Sequence, residues 1–87
     1  MGDLLMPRET WLVTGGAGFI GANFVRWVLS HRPTVRVVVL DKLTYAGSLE
    51  NLNDLPSPER FEFIRGDIAS SDDVRRAFET SRPDRVL

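Results

Sequence analysis

The chain contains no cysteine. Disulfides, thiolate metal sites and a cysteine nucleophile are thereby excluded. It has no apolar run approaching the ~18 residues that a membrane-spanning helix requires. Charge of either sign is not in excess: 11 Lys and Arg face 12 Asp and Glu, for a formal net charge of −1. Neither nucleic acid nor an anionic membrane is an expected partner on that balance. Histidine occurs once, as His31 beside Arg32. A cation at a helix end is favourable in itself, so a surface role is expected there and catalysis is not. The first nine residues have no cationic start and are too short for a secretory signal. Met6 stands where a myristoylation motif needs Ser or Thr. Residues 1–9 are therefore expected to form a flexible leader, and the protein is expected in the cytoplasm. Its 87 residues allow one domain, expected over residues 10–87.

What is present is a regular alternation of strand and helix patterns. Thr10 to Thr14 reads as a first strand, too apolar to have a wet face, as in a parallel sheet covered on both sides. A helix is expected from Phe19 to Ser30. Asn23, Arg26 and Ser30 make one polar stripe on it, and apolar residues, Trp27 among them, cover the remainder. Arg32-Pro33 ends it. Val35 to Asp41 is the clearest strand, β-branched and closing on a carboxylate. Ser48 to Leu52 fits one helical turn, and Asn53 to Pro58 is a connection rich in breakers. Phe61 to Arg65 is a third strand. Ser70 or Ser71 caps a second helix, with Asp72 and Asp73 placed favourably for the helix dipole. Val74, Ala77 and Phe78 are its expected buried stripe, and Arg75 and Arg76 its solvated face. Arg85-Val86-Leu87 opens a fourth strand, in which the chain stops. Right-handed crossovers then give the strand order 3-2-1-4, the N-terminal half of a Rossmann-type doubly wound α/β sheet.

The first strand runs into Gly15-Gly16-Ala17-Gly18-Phe19-Ile20-Gly21. A glycine pattern alone is weak, but here four constraints coincide. The glycines follow a strand, they open a helix, the unit continues into a second strand, and that strand ends in Asp41, 20 residues beyond Gly21. This is the context of a dinucleotide fingerprint. Gly15 permits the tight turn, Gly18 lets the backbone approach a pyrophosphate, and Gly21 lets helix and strand pack closely. Asp41 suits the two adenosine ribose hydroxyls and repels a 2′-phosphate, which argues for NAD over NADP; Lys42 beside it offsets part of that repulsion. Asp67 and Ile68 follow the third strand. Either they meet the adenine amino group and ring face, or they are an ordinary strand-to-helix loop. No metal site is expected.

The run Thr14 to Gly21 resembles the T-G-x-x-G-x-x-G pattern of the extended short-chain dehydrogenase/reductases. Leu40-Asp41-Lys42-Leu43-Thr44-Tyr45-Ala46-Gly47-Ser48-Leu49-Glu50-Asn51-Leu52 is similar to the D-K-L-T-Y-A-G-N-L-E-N-L run of the dTDP-glucose 4,6-dehydratases within that family. Gly66-Asp67-Ile68 and Arg82-Pro83-Asp84 also fit. Ser48 stands where Asn is common in these enzymes, and Ala22 where Ser is common. The resemblance implies that Phe19, Ile20, Asp41, Lys42, Leu43, Thr44, Asp67 and Ile68 line an NAD site. It also implies a redox-neutral cycle on a nucleotide sugar: a hydride leaves C4 of the glucose, water is lost across C5 and C6, and the hydride returns to C6. The full-length protein would be a homodimer.

That chemistry calls for a tyrosinate base with a lysine four residues on. The chain has one tyrosine, Tyr45, and one lysine, Lys42, in the wrong order and spacing. The expectation is an N-terminal piece of a dehydratase that holds cofactor, contains no catalytic residue and is inactive alone. Two alternatives stay open at this point: a piece of a related UDP-sugar epimerase or decarboxylase, and a binding module that senses a dinucleotide without chemistry.

Overall fold

The computed structural model describes residues 7–15, 17–43 and 49–87. In chain order the elements are β1 (Glu9–Thr14), α1 (Phe19–His31), β2 (Val35–Asp41), two 3₁₀ turns (Leu49–Leu52 and Pro58–Arg60), β3 (Phe61–Arg65), α2 (Ser71–Ser81) and β4 (Arg85–Val86). The four strands form one sheet in the order β3-β2-β1-β4. Every pairing is parallel, as the handedness argument requires.

Topology also decides what covers each face. The β1-to-β2 and β2-to-β3 crossovers step in one direction across the sheet, so right-handedness puts both on one side. The β3-to-β4 crossover steps back past β1 and lies on the other. The core divides accordingly. On the first face Val35, Val37 and Val39 of β2 pack with Val13, with Ala22, Val25, Val28 and Leu29 of α1, and with Leu52 and Leu55. On the second, Leu12, Val38, Leu40 and Ala77 are buried together. The strand's period of two sorts β2 between them. Asp41 shares the parity of Val37 and Val39 and so emerges on the α1 side, at the end of a strand buried at six of its seven positions.

The second face is thin, and one expectation fails on it. Ala77 is fully buried and Val74 half-buried, but Phe78 is 43 % exposed. It lies about 100° round the helix from Ala77, off the stripe that the sheet covers, and β4 has only two residues, both exposed. Ser81 is buried instead, its hydroxyl donating to the Ala77 carbonyl at 2.6 Å. Similarly, α1 is covered by the sheet along one stripe only. Trp27 is 46 % exposed, its ring stacked on His31 at 4.6 Å, and not a core residue. Trp11 does pack into the first face, its ring 6.3 Å from Phe24.

Two boundaries differ from the sequence reading. The first strand begins at Glu9, inside the expected leader, because Arg8 and Glu9 both donate to the Thr34 carbonyl and extend the ladder towards β2. The second difference is the 3₁₀ turn Pro58–Arg60, read from sequence only as a connection. It delivers Arg60, 6 % exposed, to the end of α1 and the start of β2.

Candidate cofactor site

The ends of β1, β2 and β3 and the loops that follow them meet at one edge of the sheet. Register aligns them: Thr14 faces Leu40, and Asp41 faces Arg65. The ladder runs on into the loops, with Gly15 N–H donating to the Leu40 carbonyl and Gly66 N–H to the Asp41 carbonyl. A cleft of about 310 Å³ opens there. Thr14, Gly15 and Leu40 form one wall, and Asp41, Lys42, Gly66, Asp67 and Ile68 the remainder.

Gly15 has φ +71°, a conformation that costs a residue with a Cβ roughly 1 kcal/mol or more. A Cβ there would meet no atom within 4 Å, so the requirement is for the turn and the wall stays open. At Gly66 the requirement is space. A Cβ would stand 2.9 Å from Leu40 Cδ1 and 3.1 Å from Asp73 Cβ, so glycine lets the first turn of α2 close on the end of β3. Gly18 is the residue before α1 and offers no side-chain cap. The first bond into the helix is Ala22 N–H to the Gly18 carbonyl, so the preceding N–H groups of the opening turn have no partner along the helix. Phe19 and Ile20, 76 % and 83 % exposed, flank that opening, and Gly21 is half-buried behind it.

Asp41 is 5 % exposed. One carboxylate oxygen accepts from Ala17 N–H and the other from Leu43 N–H, each at 2.9 Å. The same side chain thus anchors the glycine turn and the loop after β2. The Leu43 bond closes an Asx turn, and it holds Leu43 at φ +59°, a conformation rare for a leucine. Leu43 contributes through its backbone, since its side chain packs on the first-face core. Thr44 lies outside the described residues.

Asp67 repeats the device at the end of β3. Its Oδ1 accepts from Ala69 N–H at 2.8 Å, and its Oδ2 is 3.2 Å from the Lys42 ammonium. The Ala69 bond first, then Lys42, holds the carboxyl below the ordinary carboxylate value. A depressed folded value adds stability that is complete above the unfolded value, near pH 4, and is lost as pH falls through the folded one. The denaturation midpoints of the wild type and Asp67→Asn should therefore differ most near neutrality and converge as the pH falls through the depressed folded value. A gap that stays constant into acid would contradict these contacts. Ile68, 66 % exposed, stands at the mouth of the cleft beside it.

The structure therefore brings Gly15, Asp41, Lys42, Asp67 and Ile68 to one cleft, with Gly18, Phe19, Ile20 and Gly21 at the adjoining helix start. It adds two residues that sequence reasoning missed. Asn51 Nδ2 donates to the Ala17 carbonyl at 3.0 Å, so Ala17 is gripped through its N–H by Asp41 and through its C=O by Asn51. Nothing in the local pattern announces that contact. Asp73 accepts from Asp67 N–H at 2.8 Å, besides its place at the helix dipole. Here a signal existed: Ser70-x-x-Asp73 has the spacing of a capping box, and Ser70 Oγ does accept from Asp73 N–H, but the Asp73 carboxylate turns to Asp67 N–H and not back to Ser70. Arg76, expected on a solvated face, is 3.7 Å from Asp73 and donates to the Arg65 carbonyl at 2.8 Å. Among the described residues there is no cluster of metal-ligating side chains and no helix long and apolar enough to cross a membrane.

The chain is similar to known proteins. A dTDP-glucose 4,6-dehydratase from Xanthomonas campestris is 50 % identical over 78 residues, which cover 90 % of this chain and 22 % of that protein. The crystal structure of a dTDP-glucose 4,6-dehydratase from Bacillus anthracis in complex with NAD superposes with a TM-score of 0.82 at 32 % identity, over 90 % of this chain and 25 % of that one. A UDP-glucose 4-epimerase from Thermus thermophilus, also in complex with NAD, gives 0.71 at 40 % identity over 88 % and 22 %. The chain spans about a fifth of the length of the curated relatives it matches. The family model described as GDP-mannose 4,6 dehydratase matches residues 12–87, from the middle of β1 through the cleft to β4, and the chain belongs to that family.

Proposed function

We propose that these residues hold the adenosine and pyrophosphate of NAD in a cytoplasmic, homodimeric dTDP-glucose 4,6-dehydratase. The observation that carries the reading is the Asp41 carboxylate, buried at the end of β2 in the wall of the cleft and bonded to the backbone of both the glycine turn and the loop after β2. A carboxylate has about four acceptor positions, so anchoring two loops and accepting from ribose hydroxyls are compatible roles. The opening turn of α1 supplies N–H donors and the positive end of the helix dipole for the pyrophosphate. The open wall at Gly15 lets that group approach the backbone. Asp67 and Ile68 are read as meeting the adenine edge and face, with the backbone of Lys42 and Leu43 on the ribose side; Thr44, which the resemblance adds to that side, lies outside the described residues. The residues present fit the cofactor.

NAD, when bound, supplies the hydride acceptor and donor for a sugar oxidised at C4 and reduced again at C6. In this chain the residues bind and orient, and none is assigned an acid or base role. Residues 10–87 form the cofactor-binding domain, and the sugar nucleotide is met elsewhere in the full-length protein. The Asp41-Lys42-Leu43 run and the higher structural similarity to the dehydratase, 0.82 against 0.71, favour a dehydratase over an epimerase. Titration calorimetry of the purified chain is expected to give heat with NAD and weaker binding of NADP. No heat with either dinucleotide would refute the reading.

A further inference from the structure

We propose that Asp67 sets the choice against a 2′-phosphorylated dinucleotide by holding Lys42 away from the ribose. This rests on the reading of the cleft as a dinucleotide site. A 2′-phosphate would sit where Asp41 meets the ribose, and the residue adjoining Asp41 is a lysine. Asp41 alone repels the phosphate, while Lys42, free to turn, would neutralise much of that repulsion. The geometry directs the ammonium elsewhere. Lys42 Nζ lies 3.2 Å from Asp67 Oδ2, across the cleft at the end of β3.

Asp67 is a fixed anchor and does not follow the lysine. Its other oxygen accepts from Ala69 N–H, and its own N–H donates to Asp73, both at 2.8 Å. Asp73 is in turn set by the first turn of α2 and by Arg76. The cleft therefore presents Asp41 together with a lysine already matched by Asp67, and its mouth keeps a net negative charge. A partly exposed ion pair is individually weak, because solvent screens it. Lys42 and Asp67 are 59 % and 33 % exposed, so the device biases selectivity by a modest factor.

The test is a double-mutant cycle on the 87-residue chain, with dissociation constants for NAD and NADP measured on the wild type, Asp67→Asn, Lys42→Met and the double variant. Asparagine at 67 keeps the Oδ1 acceptor for Ala69 and releases the lysine. Asp67→Asn is expected to improve NADP relative to NAD by about two- to fivefold, the scale of one screened charge pair. Lys42→Met is expected to abolish that gain in the double variant. A gain that survives loss of the lysine is a general charge effect and overturns the proposal, as does the absence of a gain while NAD still binds. If no variant binds NAD, the cofactor reading itself fails. A second measurement then decides the latch alone: NMR titration of the Asp67 carboxyl without ligand. Lys42→Met should raise its midpoint, and an unchanged midpoint shows that the lysine is not held there.

Discussion

Arg60→Met should lower the thermal midpoint of the chain by roughly 10–25 °C. The reason begins with Pro33. A proline has no N–H, so the Leu29 carbonyl near the end of α1 has no donor four residues on. Arg60 supplies one: its Nη2 donates to Leu29 O at 2.6 Å. Its Nη1 donates to Arg32 O at 2.8 Å and to Val35 O at 2.6 Å. One guanidinium thus closes the C-terminus of α1, fixes the start of β2 and, being the residue before β3, ties in a third element. The helix dipole favours a cation in that position. Methionine keeps much of the bulk but removes the donor from the Leu29 and Val35 carbonyls and one of two from the Arg32 carbonyl, which keeps Val35 N–H at 3.1 Å. Each buried loss is worth about 1–3 kcal/mol, so ~3 kcal/mol in all is a fair expectation, at 4–8 °C per kcal/mol for a domain of this size. Scanning calorimetry of Arg60→Met and Arg60→Lys checks it. Lysine carries the charge but not the planar fork, so it should recover only part of the loss. If both variants melt with the wild type, the guanidinium does not close the helix.

Arg60 also shows where sequence reading stops. The sheet was legible because its signals are local or follow from handedness: a Val-rich run, glycines between a strand and a helix, parallel strands joined by crossovers. The strand order followed from those alone. The site was legible in outline for the same reason, since Gly15, Asp41 and Asp67 sit at strand ends that topology brings to one edge. The rest is carried by side chains that bond to distant backbone. Asn51 reaches Ala17 across 34 residues, and Arg60 reaches Leu29 across 31. A carbonyl acceptor is the same in every residue and leaves no mark on the pattern. Phe78 was misread for a different reason. Periodicity tells which helix residues share a face but not how wide a sheet lies beneath them, and β4 is only two exposed residues long.

Asp41→Asn is expected to weaken NAD binding at least tenfold and to loosen the empty protein as well. The two effects have one origin. Both oxygens of the carboxylate accept from backbone N–H groups, Ala17 on one side and Leu43 on the other. An amide keeps a single acceptor oxygen, so its NH₂ must face one of those two N–H groups. That leaves a donor unpaired at a residue only 5 % exposed, a loss of about 1–3 kcal/mol. The released partner is either the glycine turn or the strained Leu43 peptide, and each shapes the cleft. Hydrogen exchange on the unliganded chain should show one of the two amides, Ala17 or Leu43, exchanging markedly faster, while calorimetry should show the weaker binding. The two readouts separate the roles of the side chain. Faster exchange with unchanged NAD affinity would mean that Asp41 anchors loops and does not meet the ribose. Weaker binding with both amides still protected would mean that it meets the ribose and that the glycine turn is held by Asn51 and the sheet alone. Both effects together are the expected result, because in this fold the group that would recognise the cofactor is also the one that shapes the cleft.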